Sequence, residues 1–287
     1  MNKKVQTARL SIISNSLLIL LKLFAGLISG SVSIISEAIH SLIDLLAAII
    51  AFFSVKISGK SPDKEHPYGH GKFENISGVI ESLLIFVAAI WIIYEAVHKL
   101  KTHNQIVSLE IAFIVMMISA ILNFIVSRRL YKVATETDSV ALEADALHLK
   151  TDVYTSLGVA IGILLIWITG YTFLDPVIAM AVALLIVYEA FILLKKAYSP
   201  LLDATLPDDE VVTIKKCIEK YCKNCITYEN LRTRKSGHYK YIDFILALPG
   251  DMNVEKAHEI CDHIESDIKR SLKYAEITIH TQPCDKK

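Results

Sequence analysis

The sequence predicts an α-helical membrane protein: a bundle of six transmembrane helices followed by a small cytoplasmic domain of αββαβ order. Three observations predict it. Apolar residues dominate positions 10–200, where charges fall in short clusters, and from Asp203 onward charged and polar residues become dense. Within the apolar part, six runs reach the ~20 residues that a helix needs to cross a bilayer. Lys and Arg crowd the links on one side of those runs and are nearly absent from the other. The expected division is a transmembrane domain over residues 1–202 and a cytoplasmic domain over residues 203–287.

The spans are read as Leu10–Ser29, Ile34–Val55, Ile76–Val97, Ile106–Val126, Ala141–Thr169 (its membrane part from about Leu147) and Leu174–Leu194. Lys3 and Lys4 before an apolar run imitate a signal peptide. The run to Ile28 is long for one, and a second span follows at once, so it is read as a retained helix. On one side of the membrane lie Lys3, Lys4, Arg9, Lys56, Lys60, Lys64, Lys72, Arg128, Arg129, Lys132, Lys195 and Lys196; on the other lie Lys99 and Lys101. Positive residues stay with the cytoplasm. Both termini and the tail are expected there, in a multi-pass protein of the cell membrane with lipid around it.

The tail reads as helix Asp208–Tyr221, strand Ile226–Arg234, a turn at Ser236-Gly237, strand Tyr239–Leu248, helix Val254–Leu272 and strand Ala275–His280. Pro207 and Asp208 form a helix-start signal. The result is a small sheet with helices on one face. All five cysteines (Cys217, Cys222, Cys225, Cys261, Cys284) lie in the tail. An odd number without framework spacing reads as free thiols in a reducing compartment. The formal net charge is zero, which gives no reason to expect a nucleic-acid partner.

Three clusters carry metal chemistry. The first is a repeated HxxxD: His40-Ser-Leu-Ile-Asp44 in the second span and His148-Leu-Lys-Thr-Asp152 in the fifth. Residues four apart share a helix face one turn apart. One such pair reads equally as a helix–helix hydrogen bond. Two pairs in separate spans can meet as two imidazoles and two carboxylates, a tetrahedral set suited to Zn²⁺, and ionisable groups at membrane depth mark a path or a site. Asp145, three residues before His148, is read either as a partner that orients its ring or as a solvated residue at the helix entrance. Glu37, Lys22, Glu81 and Lys150 are further charges in or near spans. The second cluster is the loop Asp63-Lys-Glu-His66-Pro-Tyr-Gly-His70-Gly-Lys72-Phe-Glu74, where Asp63, His66 and His70 read either as a solvated surface or as a chelate, for which Gly69 and Gly71 permit a tight backbone. The third is in the tail: His258, Asp262, His263 and His280, with Glu229 and the CxxC pair Cys222 and Cys225.

Together the double HxxxD, the Asp63–Glu74 loop, the Leu231-Arg-Thr-Arg-Lys-Ser-Gly237 segment and the Ile279-His-Thr-Gln-Pro-Cys284 ending resemble the cation diffusion facilitator family of divalent-metal/proton antiporters. The resemblance covers nearly the whole chain. It implies six spans with a metallochaperone-like tail, and a homodimer paired through its tails. His40, Asp44, His148 and Asp152 would be the transport site, and Asp63, His66 and His70 the loop site. Lys72 and Asp203 would form an interdomain salt bridge. The chain departs from the family at two kinds of position. His40 stands where bacterial iron and zinc members often carry Asp, a pattern associated with zinc. In the tail, frequent ligand positions read Glu229, Ile245 and Gln282, which leaves His258 and His280 as the tail's candidate ligands.

The expected function is export of Zn²⁺ from the cytoplasm in exchange for protons, with Zn²⁺ as cargo and possible regulatory ligand. Two imidazoles argue against Mn²⁺, which suits oxygen donors; Fe²⁺, Co²⁺ and Cd²⁺ remain alternatives. An enzyme is not expected: no span carries HExxH, and four filled ligand positions leave none for water. A membrane metal sensor, which would bind without flux, is the third reading.

Overall fold

The computed structural model describes residues 3–29, 32–101, 109–169, 173–222 and 226–284; several side chains within the helices, those of residues 32–40 among them, fall outside the description. Six long helices come first: α1 (Lys3–Ser29), α2 (Val32–Ser58), α3 (Lys72–Lys101), α4 (Leu109–Thr137), α5 (Val140–Thr169) and α6 (Leu174–Tyr198). They hold 25 to 30 residues each. At ~1.5 Å per residue even the shortest exceeds a ~30 Å hydrocarbon core. Among the described residues, Lys3–Ala25, Lys72–His98 and Pro176–Leu202 meet the length and hydropathy of a span.

Several helices outrun the apolar segments read from sequence. α1 starts seven residues before Leu10, and α4 continues eleven residues past Val126. Each added residue gains a backbone hydrogen bond once a helix is nucleated, so polarity does not end a helix. What ends α4 is a cap: Asp138 takes a positive φ of 51°, and Ser139 then accepts a hydrogen bond from the Leu142 amide at 3.4 Å to open α5.

α3 lies along α6, α1 along α2, and α4 along α5. In lipid, helices approach through small residues. Ala47, Ala48 and Ala51 of α2 and Ala183, Ala190 and Ala197 of α6 are fully buried. At Gly78 of α3 a Cβ would come within 2.8 Å of Val140 and 3.0 Å of Ala197, so this crossing has no room for a side chain.

A short 3₁₀ turn (Ser199–Leu202) precedes α7 (Asp208–Glu219), β1 (Thr227–Ser236), β2 (Tyr239–Leu248), α8 (Val254–Ser271) and β3 (Ala275–Pro283). The order is αββαβ as read. β1 pairs antiparallel with β2 through a turn at Gly237 (φ 60°), and β2 pairs parallel with β3. Asn253 caps α8 by accepting from the Lys256 amide at 2.9 Å. Ile242, Phe244 and Leu246 of β2 face Ile214 and Ile218 of α7 and Ile264 and Ile268 of α8 in one apolar core. The chain divides into Met1–Tyr198 and Ser199–Lys287, so the 3₁₀ turn goes with the tail, four residues earlier than the boundary read from the change in polarity.

Candidate metal sites

α2 and α5 carry the two HxxxD pairs, and the fold brings them side by side. His148 Nε2 lies 2.9 Å from Asp44 Oδ1, with both residues buried. A carboxylate at this depth needs a partner, and the imidazole from the other helix is that partner. Asp152, one turn after His148, accepts a hydrogen bond from Asn123 Nδ2 of α4 at 3.1 Å. Asn15 of α1 donates to the Asp44 carbonyl at 3.4 Å. Four helices thus converge on Asp44, His148 and Asp152. His40 belongs to α2, but its side chain lies outside the described residues, as does that of Glu37.

Asp145 does not orient His148. It is fully buried and accepts a hydrogen bond from Ser11 of α1 at 3.0 Å, while His148 Nδ1 has no hydrogen-bond partner among the described residues. Lys22 finds the Ser41 hydroxyl at 2.7 Å. Glu81 accepts from Ser77 at 2.9 Å. Lys150 meets Glu189 of α6 at 3.3 Å and lies over the Tyr154 ring.

Sequence reasoning missed the inner face of α1. Lys4, Thr7, Ser11, Asn15 and Lys22 are all buried, and their spacing follows one face of a helix. It also missed Glu74. This fully buried carboxylate accepts from Lys4 of α1 at 3.0 Å, from Ser58 of α2 at 2.7 Å and from Ser139 at the start of α5. A run of polar residues at helical spacing inside an apolar segment was the available signal.

The loop between α2 and α3 assembles its own cluster. One ligand atom from each of Asp63, His66 and His70 lies within 4.8 Å of the others. Asp63 Oδ1 accepts from the amides of Glu65 at 3.0 Å and His66 at 2.7 Å. The His66 amide above all holds the exposed Asp63 carboxyl below the usual aspartate range. Gly69 takes a φ of 78°, which turns the chain so that His70 comes back to Asp63. Among the described residues no other three His, Cys, Asp or Glu side chains meet in this way.

In the tail the candidate ligands do not converge within one protomer. Ile277 and Ile279 of β3 pack toward the helices, so alternation sends His280 to the other face of the sheet. There Glu229, Ile245 and His280 form one row across the three strands. His258 stands on α8 beside Asp262, Nε2 to Oδ2 3.7 Å, and shares a pocket with Cys261, Ile277 and Ile279. A site made of His258 and His280 in one chain is therefore corrected. So is the reading of the cysteines as free thiols: Cys217, Cys222 and Cys261 are free, but Cys284 is disulfide-bonded. Cys225 lies outside the described residues. Burial pushes the Cys222 thiol up. Lys72 opens α3, and Asp203 pairs with Arg234 at 3.5 Å inside the tail.

Residues 8–202 match the cation efflux transmembrane domain, and residues 206–284 match the cation efflux protein cytoplasmic domain. An uncharacterized transporter of Synechocystis is 34% identical over 92% of this chain and 86% of its own length. The manganese efflux system protein MneP of Bacillus subtilis is 30% identical over 97% of this chain and 95% of its own. The cation-efflux pump FieF of Yersinia pestis is 30% identical over 94% and 89%. With both domains matched in order and with relatives aligned over nearly their whole length, the chain belongs to the cation diffusion facilitator family, as a membrane transporter of divalent metal cations and not an enzyme.

Proposed function

We propose that the protein exports Zn²⁺ from the cytoplasm in exchange for protons, working as a homodimer with both termini in the cytoplasm. The observation that carries this reading is the contact between Asp44 Oδ1 and His148 Nε2 at 2.9 Å. It joins two HxxxD pairs from separate membrane helices at one buried point. Two imidazoles and two carboxylates suit Zn²⁺ in number and kind. Their charges sum to −2 when the imidazoles are neutral, which a divalent cation cancels.

The same set couples metal to protons. Zn²⁺ requires neutral imidazole and ionised carboxylate, so binding releases protons and protonation releases metal. Without metal, His148 and Asp44 bond each other, which leaves neither buried group bare. Metal arriving from the cytoplasm breaks that bond. Protons from the outer side restore it and return the carrier. Asp63, His66 and His70 are a cytoplasmic collecting site in this scheme.

Purified protein in liposomes with a zinc-sensitive dye inside tests this directly. Zn²⁺ influx into inside-out vesicles should rise with an opposing proton gradient and collapse with a proton ionophore. Flux indifferent to the gradient contradicts the proton half of the reading, and metal binding without flux contradicts transport. A second reading, Mn²⁺ export, is favoured by one observation: Asn123, whose amide nitrogen donates to Asp152 at 3.1 Å, also carries a buried amide oxygen without a hydrogen-bond partner among the described residues, and Mn²⁺ suits oxygen ligands.

A further inference from the structure

Asn123 is 5% exposed, inside the bundle. Its amide nitrogen is used, on Asp152 Oδ2. Its Oδ1 is buried without a hydrogen-bond partner among the described residues. One turn away on the same face of α4, the Ser119 hydroxyl is also buried and without a partner, at 6% exposure. One turn the other way, Ser127 donates to the Ala146 carbonyl at 2.7 Å, which fixes this face of α4 against α5. Buried oxygens are almost always satisfied. Two such oxygens stand at adjacent turns of α4, one of them on the residue that holds Asp152, and each is free to take a hydrogen-bond donor or a cation.

We propose that Asn123 is a fifth ligand of the transport site, and that its amide oxygen widens the range of cations carried beyond Zn²⁺. This rests on the reading of His40, Asp44, His148 and Asp152 as that site. In the metal-free arrangement the NH₂ group holds Asp152. When a cation takes the Asp152 carboxylate, the amide turns about its last torsion, which is broad and roughly two-fold, and presents Oδ1 instead. A neutral oxygen adds coordination without charge, so the site still balances a divalent ion. Aspartate at the same point would leave a net negative charge in the membrane. Four ligands of nitrogen and oxygen suit Zn²⁺; a fifth, carbonyl-type oxygen suits Mn²⁺ and Fe²⁺, which take more ligands and harder ones.

The test is initial Zn²⁺ and Mn²⁺ flux by the full-length protein in liposomes. Asn123→Leu keeps volume and removes the oxygen. It should cut Mn²⁺ flux by at least ~10-fold and Zn²⁺ flux by no more than ~3-fold, within the range that losing a group near a metal produces. Parallel losses of both ions would overturn the proposal, since that is the mark of a residue that merely positions Asp152. No loss of either would overturn it too. Asn123→Gln keeps the amide oxygen without adding charge and guards against a misfolded Leu variant; its Mn²⁺ to Zn²⁺ ratio should hold, and a fall contradicts the proposal. Asp152→Ala is the control: if it transports both ions normally, the four-residue site itself is wrong.

Discussion

The buried cluster at Asp44 and His148 and the loop cluster at Asp63, His66 and His70, whose first two members are exposed and whose third is buried, solve one problem in opposite ways. Both gather carboxylate and imidazole. The buried one is assembled from helices more than a hundred residues apart in sequence, and its members bond each other. The loop cluster is assembled within eight residues, and its carboxylate is held open by backbone amides. Depth explains the difference. In the bundle an uncompensated charge is so costly that partners must neutralise one another when metal is absent. At the surface Asp63 keeps its contact with water and its two amide hydrogen bonds while it lies 3.4 Å from His66 and 3.3 Å from His70. In the proposed transport cycle the buried pair exchanges one bonded state for another, and the loop holds metal at the surface.

The largest expected effect follows from the buried site. Asp152→Ala should abolish Zn²⁺ flux in liposomes while size-exclusion still shows the assembled protein. Near-normal flux would remove the distinction between the two clusters. Next comes Glu74, whose carboxylate is as buried as Asp44 but ties together α1, α2 and the start of α5. Glu74→Ala removes the buried carboxylate that pairs with Lys4 and should cost about 3–5 kcal/mol in denaturant titration in micelles. Lys4→Met combined with it should recover most of the loss. A mild effect of Glu74→Ala alone would show that this cluster is wet, and would weaken the argument from depth.

The loop's response to pH sharpens the comparison further. The Asp63 carboxyl is held below the usual aspartate range, so its contribution is present above that range and is lost only as pH falls through the depressed value. The side-chain carboxyl carbon resonance of Asp63 should keep its ionised position from neutral pH down to about 4, where ordinary aspartates titrate, and make its protonation step only below that. A transition at higher pH would mean that the turn is not formed by ionised Asp63. The smallest effect belongs to Lys72 and Asp203. Reversing either charge should reduce flux modestly, and reversing both should restore more than either alone. An exposed pair of this kind is worth only ~0–1 kcal/mol, so a double variant no better than the singles would show that the pair is unused.

Legibility followed the same division. Local spacing carried much: the HxxxD pairs and the Asp63–His70 chelate could be named from sequence, and the tail elements begin and end within a few residues of where capping and alternation placed them. What spacing could not carry was partners brought together by packing. Ser11 as the partner of Asp145 lies 134 positions away, and nothing local distinguishes a serine facing a carboxylate from one facing a backbone carbonyl. The same holds for Ser58, Lys4 and Ser139 around Glu74. The tail error was different in kind. Once Ile277 and Ile279 are assigned to the core face, strand alternation alone sends His280 away from α8 and His258, so that separation was available in the sequence and was passed over. The disulfide at Cys284 was not, because pairing depends on Cα distance and not on cysteine count.

The most direct measurement is anomalous scattering at the zinc edge from crystals of the full-length protein soaked in Zn²⁺. The account predicts a peak between α2 and α5, ~2.0–2.2 Å from a His148 nitrogen and from oxygens of Asp44 and Asp152, with the Asp44–His148 hydrogen bond broken, and a second peak at Asp63, His66 and His70. A peak at the loop alone, with Asp44 and His148 still bonded in the zinc-loaded protein, would contradict it.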